Sequence, residues 1–213
     1  MRIAGEFKAQ EWETLRSRLV TGEQAAWHEA VKLLDDRIRG RYLDHARRLL
    51  DERYSGFAVL AIDSAVIEAL EQFRRGKAET PSRKSRTFFK AFLTQTRFKA
   101  HFTTEEKAAL FFDTIRCGIL HQAEAKEDSL VKKSTAHPVA VLSKSGAGLV
   151  INARRFHEEL EGAFEDYKKS LADETQSKAR QDWRDAFIRK LDAIARRSSD
   201  AGVSGVVQPN AAP

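Results

Sequence analysis

A lone cysteine, Cys117, rules out an internal disulfide, so the fold has to rest on its core and its polar pairs. Only four prolines punctuate 213 residues, which leaves long stretches free to be helical. No apolar run reaches the roughly 18–20 residues that a membrane span needs. The first residues, Met1-Arg2-Ile3-Ala4-Gly5-Glu6, lack the apolar stretch of a secretory signal. Together these absences lead to the expectation of a cytoplasmic protein with no membrane contact. No recurring His, Cys, Asp or Glu spacing suits a metal: His101, His121 and His137 show no ligand pattern. Neither metal nor cofactor is therefore expected.

What the chain does have is charge and helical periodicity. Charged residues make up 32% and the formal net charge is +6. The surplus is concentrated. Segment 74–102 holds nine Lys and Arg against the single acid Glu79, a local excess of +8 that exceeds the surplus of the whole chain. Phe88, Phe89, Phe92, Phe98 and Phe102 are interleaved with those cations. Their spacing assigns the rings to a core. The charges form either a solvated face or a track for a phosphate backbone, with Arg83, Lys84, Arg86, Lys90, Arg97 and Lys99 as candidate RNA-binding residues.

Apolar residues recurring every three to four positions predict helices over 11–19, 22–39, 42–50, 55–75, 82–94, 104–125 and 156–196, the last broken near 173–177. Gly40 is expected to end the second of these. Thr103-Thr104-Glu105-Glu106 marks a helix start, with acids in the first turn. Ala108, Leu110, Phe111, Ile115, Ile119 and Leu120 supply the expected buried side of the helix that follows. The strand signal is confined to one β-hairpin over about 138–152, turning at Lys144-Ser145-Gly146-Ala147-Gly148. That glycine-rich turn lacks the spacing of a phosphate-binding loop. The expected architecture is an all-α bundle over 1–197 with one small hairpin inserted and a helical extension at its N-terminal end. A disordered tail is expected over 198–213.

The chemistry-bearing stretch is Arg116-Cys117-Gly118-Ile119-Leu120-His121, followed by Gln122. Arg grips a phosphate with two prongs, and imidazole moves protons near neutrality. Cleavage of an RNA backbone without a metal needs little more, because the 2'-hydroxyl is the nucleophile. Bland roles compete at the same positions: Arg116 paired with Asp113 or Glu124, and His121 facing the helix dipole. Cys117 among Ile115, Ile119 and Leu120 reads as a small buried residue rather than a nucleophile.

An Arg followed four residues later by His, near the end of a helix in a small helical protein, resembles the HEPN superfamily. The resemblance covers about residues 55–171. It implies a HEPN-like bundle and a metal-independent endoribonuclease of toxin–antitoxin, abortive-infection or other defence systems. Arg116 and His121 would be catalytic, with Cys117 and Gln122 beside them. Asp63 and Glu68 on the preceding apolar helix would be supporting acids. It also implies a homodimer in which two Arg–His pairs face one cleft, and an antitoxin or activating partner protein. Two positions depart from the family pattern. Cys117 stands where a polar residue often follows the Arg, and Ala123 stands where some members carry Tyr. The alternative is a non-catalytic adaptor that binds RNA or a protein through the basic segment.

Overall fold

The computed structural model describes residues 2–134, 136–175 and 177–203. It is mostly helical with two small sheets. Strands β1 (Arg2–Ala4) and β2 (Phe7–Lys8) form a short antiparallel ladder that leads into α1 (Ala9–Val20). Helix α2 (Gln24–Ile38) follows. Trp12 and Trp27 from these two helices are fully buried, and Trp12 Nε1 donates to Asp192 near the chain's other end. The N-terminal helices are therefore part of the main core rather than an extension of it.

Gly40 does not end α2, against expectation. The chain continues through a π-helical turn (Arg39–Leu43) into α3 (Asp44–Leu49). Leu43, Ala46 and Leu50 keep an apolar side buried past the glycine. Arg39 ties this turn to a later helix through Glu161 and Glu165. A glycine ends a helix only when the backbone turns left-handed there. That happens at Gly76 (φ 63°), which closes α4 (Gly56–Arg75).

Helix α4 is the central element, packed against α3, α5 (Ser85–Gln95), α8 (Ala153–Ala172) and α9 (Lys178–Val203). The five phenylalanines assigned to the core are all buried there. Phe111 stacks on Phe156 at 4.9 Å and 8°, and Phe98 and Phe102 close round the same pair. Aromatic pairs of this kind add to the burial of their area. The expected helix 104–125 is present in three parts: α6 (Glu105–Leu110), a π-helical turn (Phe111–Arg116) and α7 (Cys117–Gln122). Thr104 caps it by accepting from the Lys107 N–H. Leu120, expected on the buried side, is 47% exposed, because the π turn shifts the phase of the helix behind it.

The expected hairpin is present as β4 (Ala140–Leu142) and β5 (Leu149–Asn152), antiparallel with Ala140 opposite Ile151. A third strand, β3 (Leu130–Lys132), pairs in parallel on the other edge of β5 and gives the order β3-β5-β4. Neither β3 nor the β1–β2 ladder was expected. Each offers only two or three residues of pattern, too few to separate from loop. Helix α9 continues to Val203, beyond the expected end at 196 and into the expected tail. The rest of that tail, 204–213, lies outside the described residues.

Candidate functional site

Arg116 is the last residue of the π turn, and it faces α4. Its guanidinium donates to Glu68 Oε2 at 3.4 Å, with both side chains mostly buried. The other oxygen of Glu68 accepts from the Ser85 hydroxyl at 2.7 Å. The Phe112 and Phe89 rings lie 5.2 and 5.9 Å from the guanidinium carbon, within reach of a cation–π interaction. Arg116 Nε is buried with no hydrogen-bond partner among the described residues. Arg116 is thus held by Glu68, and neither Asp113 nor Glu124 is its partner. Asp113 pairs with Arg86 instead.

His121 is exposed near the end of α7 and has no hydrogen bond or ion pair among the described residues. Five residues of helix put it roughly 7.5 Å along the axis from Arg116 and roughly 140° round it. One side chain faces the body of the protein and the other faces solvent. Gln122 is exposed beside His121, and Cys117 is partly exposed with a free thiol. Gly118 lies where the chain doubles back after α7. A Cβ there would collide with the Glu124 carbonyl oxygen and lie 3.1 Å from Lys126 N. The close approach allowed by this glycine is that of the protein's own backbone.

Of the two acids expected to support the site, Glu68 is brought to Arg116 and Asp63 is not. Asp63 is sealed in the core, with Oδ1 2.8 Å from His157 Nδ1. Burial, only partly opposed by His157, pushes its carboxyl up to about 6. Beyond His157 lies Glu161, 3.7 Å from Nε2, and Glu161 in turn pairs with Arg47 and Arg39. The sequence gives one hint of this cluster, the i,i+4 spacing of His157 and Glu161. Its partner on α4, Asp63, is marked in the sequence as an acid on an apolar helix, but nothing in the sequence pairs it with His157.

The basic segment is less bare than its composition suggests. Arg74 and Arg75 both pair with Glu71. Arg86 pairs with Asp113, Lys90 with Glu105 and Arg97 with Glu159. Arg83, Lys84 and Lys99 are exposed and have no acidic partner among the described residues. The cations available to a phosphate backbone are therefore half of the six candidates.

Among the described residues, no helix is long and apolar enough to cross a membrane. Nor is any group of three or more His, Cys, Asp or Glu residues among them placed to hold a metal ion. The chain matches no family model, and no match to it is found among curated proteins or among solved structures.

Proposed function

We propose that the segment from Arg116, just before α7, to His121, near its end, is the reaction centre of a metal-independent endoribonuclease, with Arg116 gripping the scissile phosphate and His121 moving protons. The observation that carries this reading is the contrast between the two side chains. Arg116 is pre-positioned by Glu68, Phe89 and Phe112, while His121 is exposed and unpartnered among the described residues. A charge stabiliser gains from being fixed before the reaction, and a proton carrier has to reach its substrate.

In the reaction, the RNA 2'-hydroxyl attacks the adjacent phosphorus and loses its proton to His121. The bond to the 5'-oxygen breaks, and that oxygen takes a proton from a second acid. Arg116 stabilises the extra negative charge of the transition state. The products are a 2',3'-cyclic phosphate and a 5'-hydroxyl. Arg116 and His121 diverge round the helix, so on this reading a cleft shared by two copies brings the Arg116 of one and the His121 of the other to the same phosphate and supplies the second imidazole as the acid. The same reading places the protein in the cytoplasm, in a toxin–antitoxin, abortive-infection or related defence setting with a neutralising or activating partner.

The test is cleavage of mixed RNA in EDTA by wild type, Arg116→Ala and His121→Ala, with end-group analysis. Cyclic phosphate ends that disappear in both variants support the reading. Equal cleavage by wild type and variants overturns it.

A second reading, a non-catalytic adaptor binding RNA or a protein, is favoured by one observation: Arg116 already has a carboxylate partner and two ring contacts. On that reading RNA is retained by both variants without being cut.

A further inference from the structure

A cleft of about 400 Å³ opens between α2, α4 and α9, on a part of the molecule that takes no part in the reaction proposed above. Three cations line it: Arg37 from α2, and Lys190 and Arg197 from α9. Phe73, Ile194 and Tyr42 give it an apolar wall, with Tyr42 38% exposed.

What distinguishes Lys190 and Arg37 is the neutrality of their hydrogen-bond partners. Lys190 Nζ donates to Gln72 Oε1 at 2.6 Å and to the Ala78 carbonyl at 2.7 Å. Arg37 donates to the Ile3 carbonyl, and Arg41 donates to that same oxygen at 2.7 Å. Arg197 reaches the Ala78 carbonyl and the exposed carboxylate of Glu79, each at 3.3 Å. Glu79 is thus the one carboxylate paired at this cleft among the described residues. Lys190 is 6% exposed, so its charge is withdrawn from water with no ion pair of its own among the described residues; Glu79, the carboxylate that acts on it, is paired with Arg197. Such a group is costly in the folded state, and an incoming anion relieves the cost. The same crowding is visible in the ionisation of the cleft. Burial first, then Arg197 and Arg37, bring Lys190 down to about 8, and burial with Arg41 brings Arg37 down to about 10.

We propose that this cleft binds a small organic phosphate of the nucleoside monophosphate kind. The phosphate lies among Lys190, Arg37 and Arg197, and the flat apolar body lies against Ile194 and Tyr42. Guanidinium forks suit phosphate oxygens, and lysine adds a point charge. The volume is in the range of sites that enclose a small molecule. It is independent of the Arg116–His121 pair.

The experiment is isothermal titration of the full chain at pH 7 and constant ionic strength, with inorganic phosphate, AMP, adenosine and a short single-stranded RNA. The proteins are wild type, Lys190→Met and Arg197→Ala. Arg197 is on the surface, so that variant stays informative if Lys190→Met folds poorly. The expected result is that AMP binds more tightly than phosphate and that adenosine gives no heat. AMP affinity should fall by about tenfold or more in each variant that folds. No AMP binding by wild type, or equal binding by wild type and Arg197→Ala, overturns the proposal. RNA binding that is lost in the variants and that AMP does not compete away also overturns it, and assigns the cations to a nucleic-acid surface.

Discussion

Asp63 and His157 are 94 positions apart in sequence, yet Asp63 Oδ1 sits 2.8 Å from His157 Nδ1 with both side chains sealed from solvent. Asp63 Oδ2 and His157 Nε2 have no hydrogen-bond partner among the described residues. Glu161, on the far side of the imidazole, carries the charge outward to Arg47 and Arg39. A buried pair like this need not add net stability, but removing one partner strands the other.

Replacing Asp63 by Ala should therefore cost about 3–5 kcal/mol. The sign of the pH effect follows from the raised carboxyl. The folded state holds the Asp63 proton up to about pH 6, while its ordinary value is 3.8. Protonation favours folding, so this contribution is complete below pH 3.8 and is lost as pH rises through about 6. His157 and Glu161 are the titratable neighbours that face it. Urea denaturation at pH 4.5 and 6.5 should show this part of the pH slope in wild type and not in Asp63→Asn.

Two helix-flanked glycines should respond oppositely to alanine. At Gly118 the new methyl meets the backbone of Glu124 and Lys126, which has no side-chain freedom to yield. A loss of about 1–3 kcal/mol is expected, as for overpacking in general. At Gly162, inside α8, the new methyl meets the guanidinium of Arg97, the far end of a long side chain that is 45% exposed. Arg97 can swing away from Glu159 at little cost. The helix then gains up to about 1 kcal/mol from alanine. Thermal denaturation of the two single variants checks the contrast.

Lys190 sets a second pH signature. Its folded value is depressed to about 8 from an ordinary 10.5, with Arg37, Arg197 and Glu79 as the charged groups around it. The unfolded chain then binds more protons than the folded one between those two values. Stability from this residue rises with pH across that window, is complete above it, and is lost as pH falls through 8. Wild type should gain stability relative to Lys190→Met on moving from pH 7.5 to 10, measured by denaturant midpoint.

RNA affinity, where present, should depend on the unpaired cations. Neutralising Arg83, Lys84 and Lys99 together should flatten the dependence of log K on log salt by about two units, near 0.7 for each single-strand phosphate contact. Neutralising Arg86, Lys90 and Arg97, whose charges already face acids, should change that slope much less. Filter binding across a salt series distinguishes the two triples.

How far the sequence reveals this molecule depends on the range of the interactions. Helical periodicity is local, so the helices and the burial of Phe88 to Phe102 are legible. The turn at 144–148 likewise announces β4 and β5. The parallel strand β3 escapes because its partner pairing is long-range and its own pattern is three residues long. The π turn before Cys117 has no sequence mark, and Leu120 is misplaced for that reason. Charge suffers most. Arg97 finds Glu159 across 62 positions, and Arg116 finds Glu68 across 48, so counting acids within a segment overstates its bareness. At the candidate site, the Arg–His spacing and Glu68 are legible, while the divergence of Arg116 and His121 is a matter of packing.

Strand β5 passes into α8 without an intervening loop, Asn152 ending one and Ala153 beginning the other. The Asn152 side chain accepts from the Arg155 N–H and donates to the carbonyls of Ser134 and His137. A slip of one residue in β5 would have to be absorbed at this junction, or it would carry α8 round by roughly 100°. Phe156, Leu160, Phe164 and Leu171, all fully buried, would then leave the core. A sheet of three- and four-residue strands, which on its own has little to choose between registers, is thereby keyed by a twenty-residue amphipathic helix. The helix acts as the gauge block of the sheet: the alignment of the strands is measured against its rotation, and misaligned pairings are rejected by a hydrophobic face that the strands themselves do not carry.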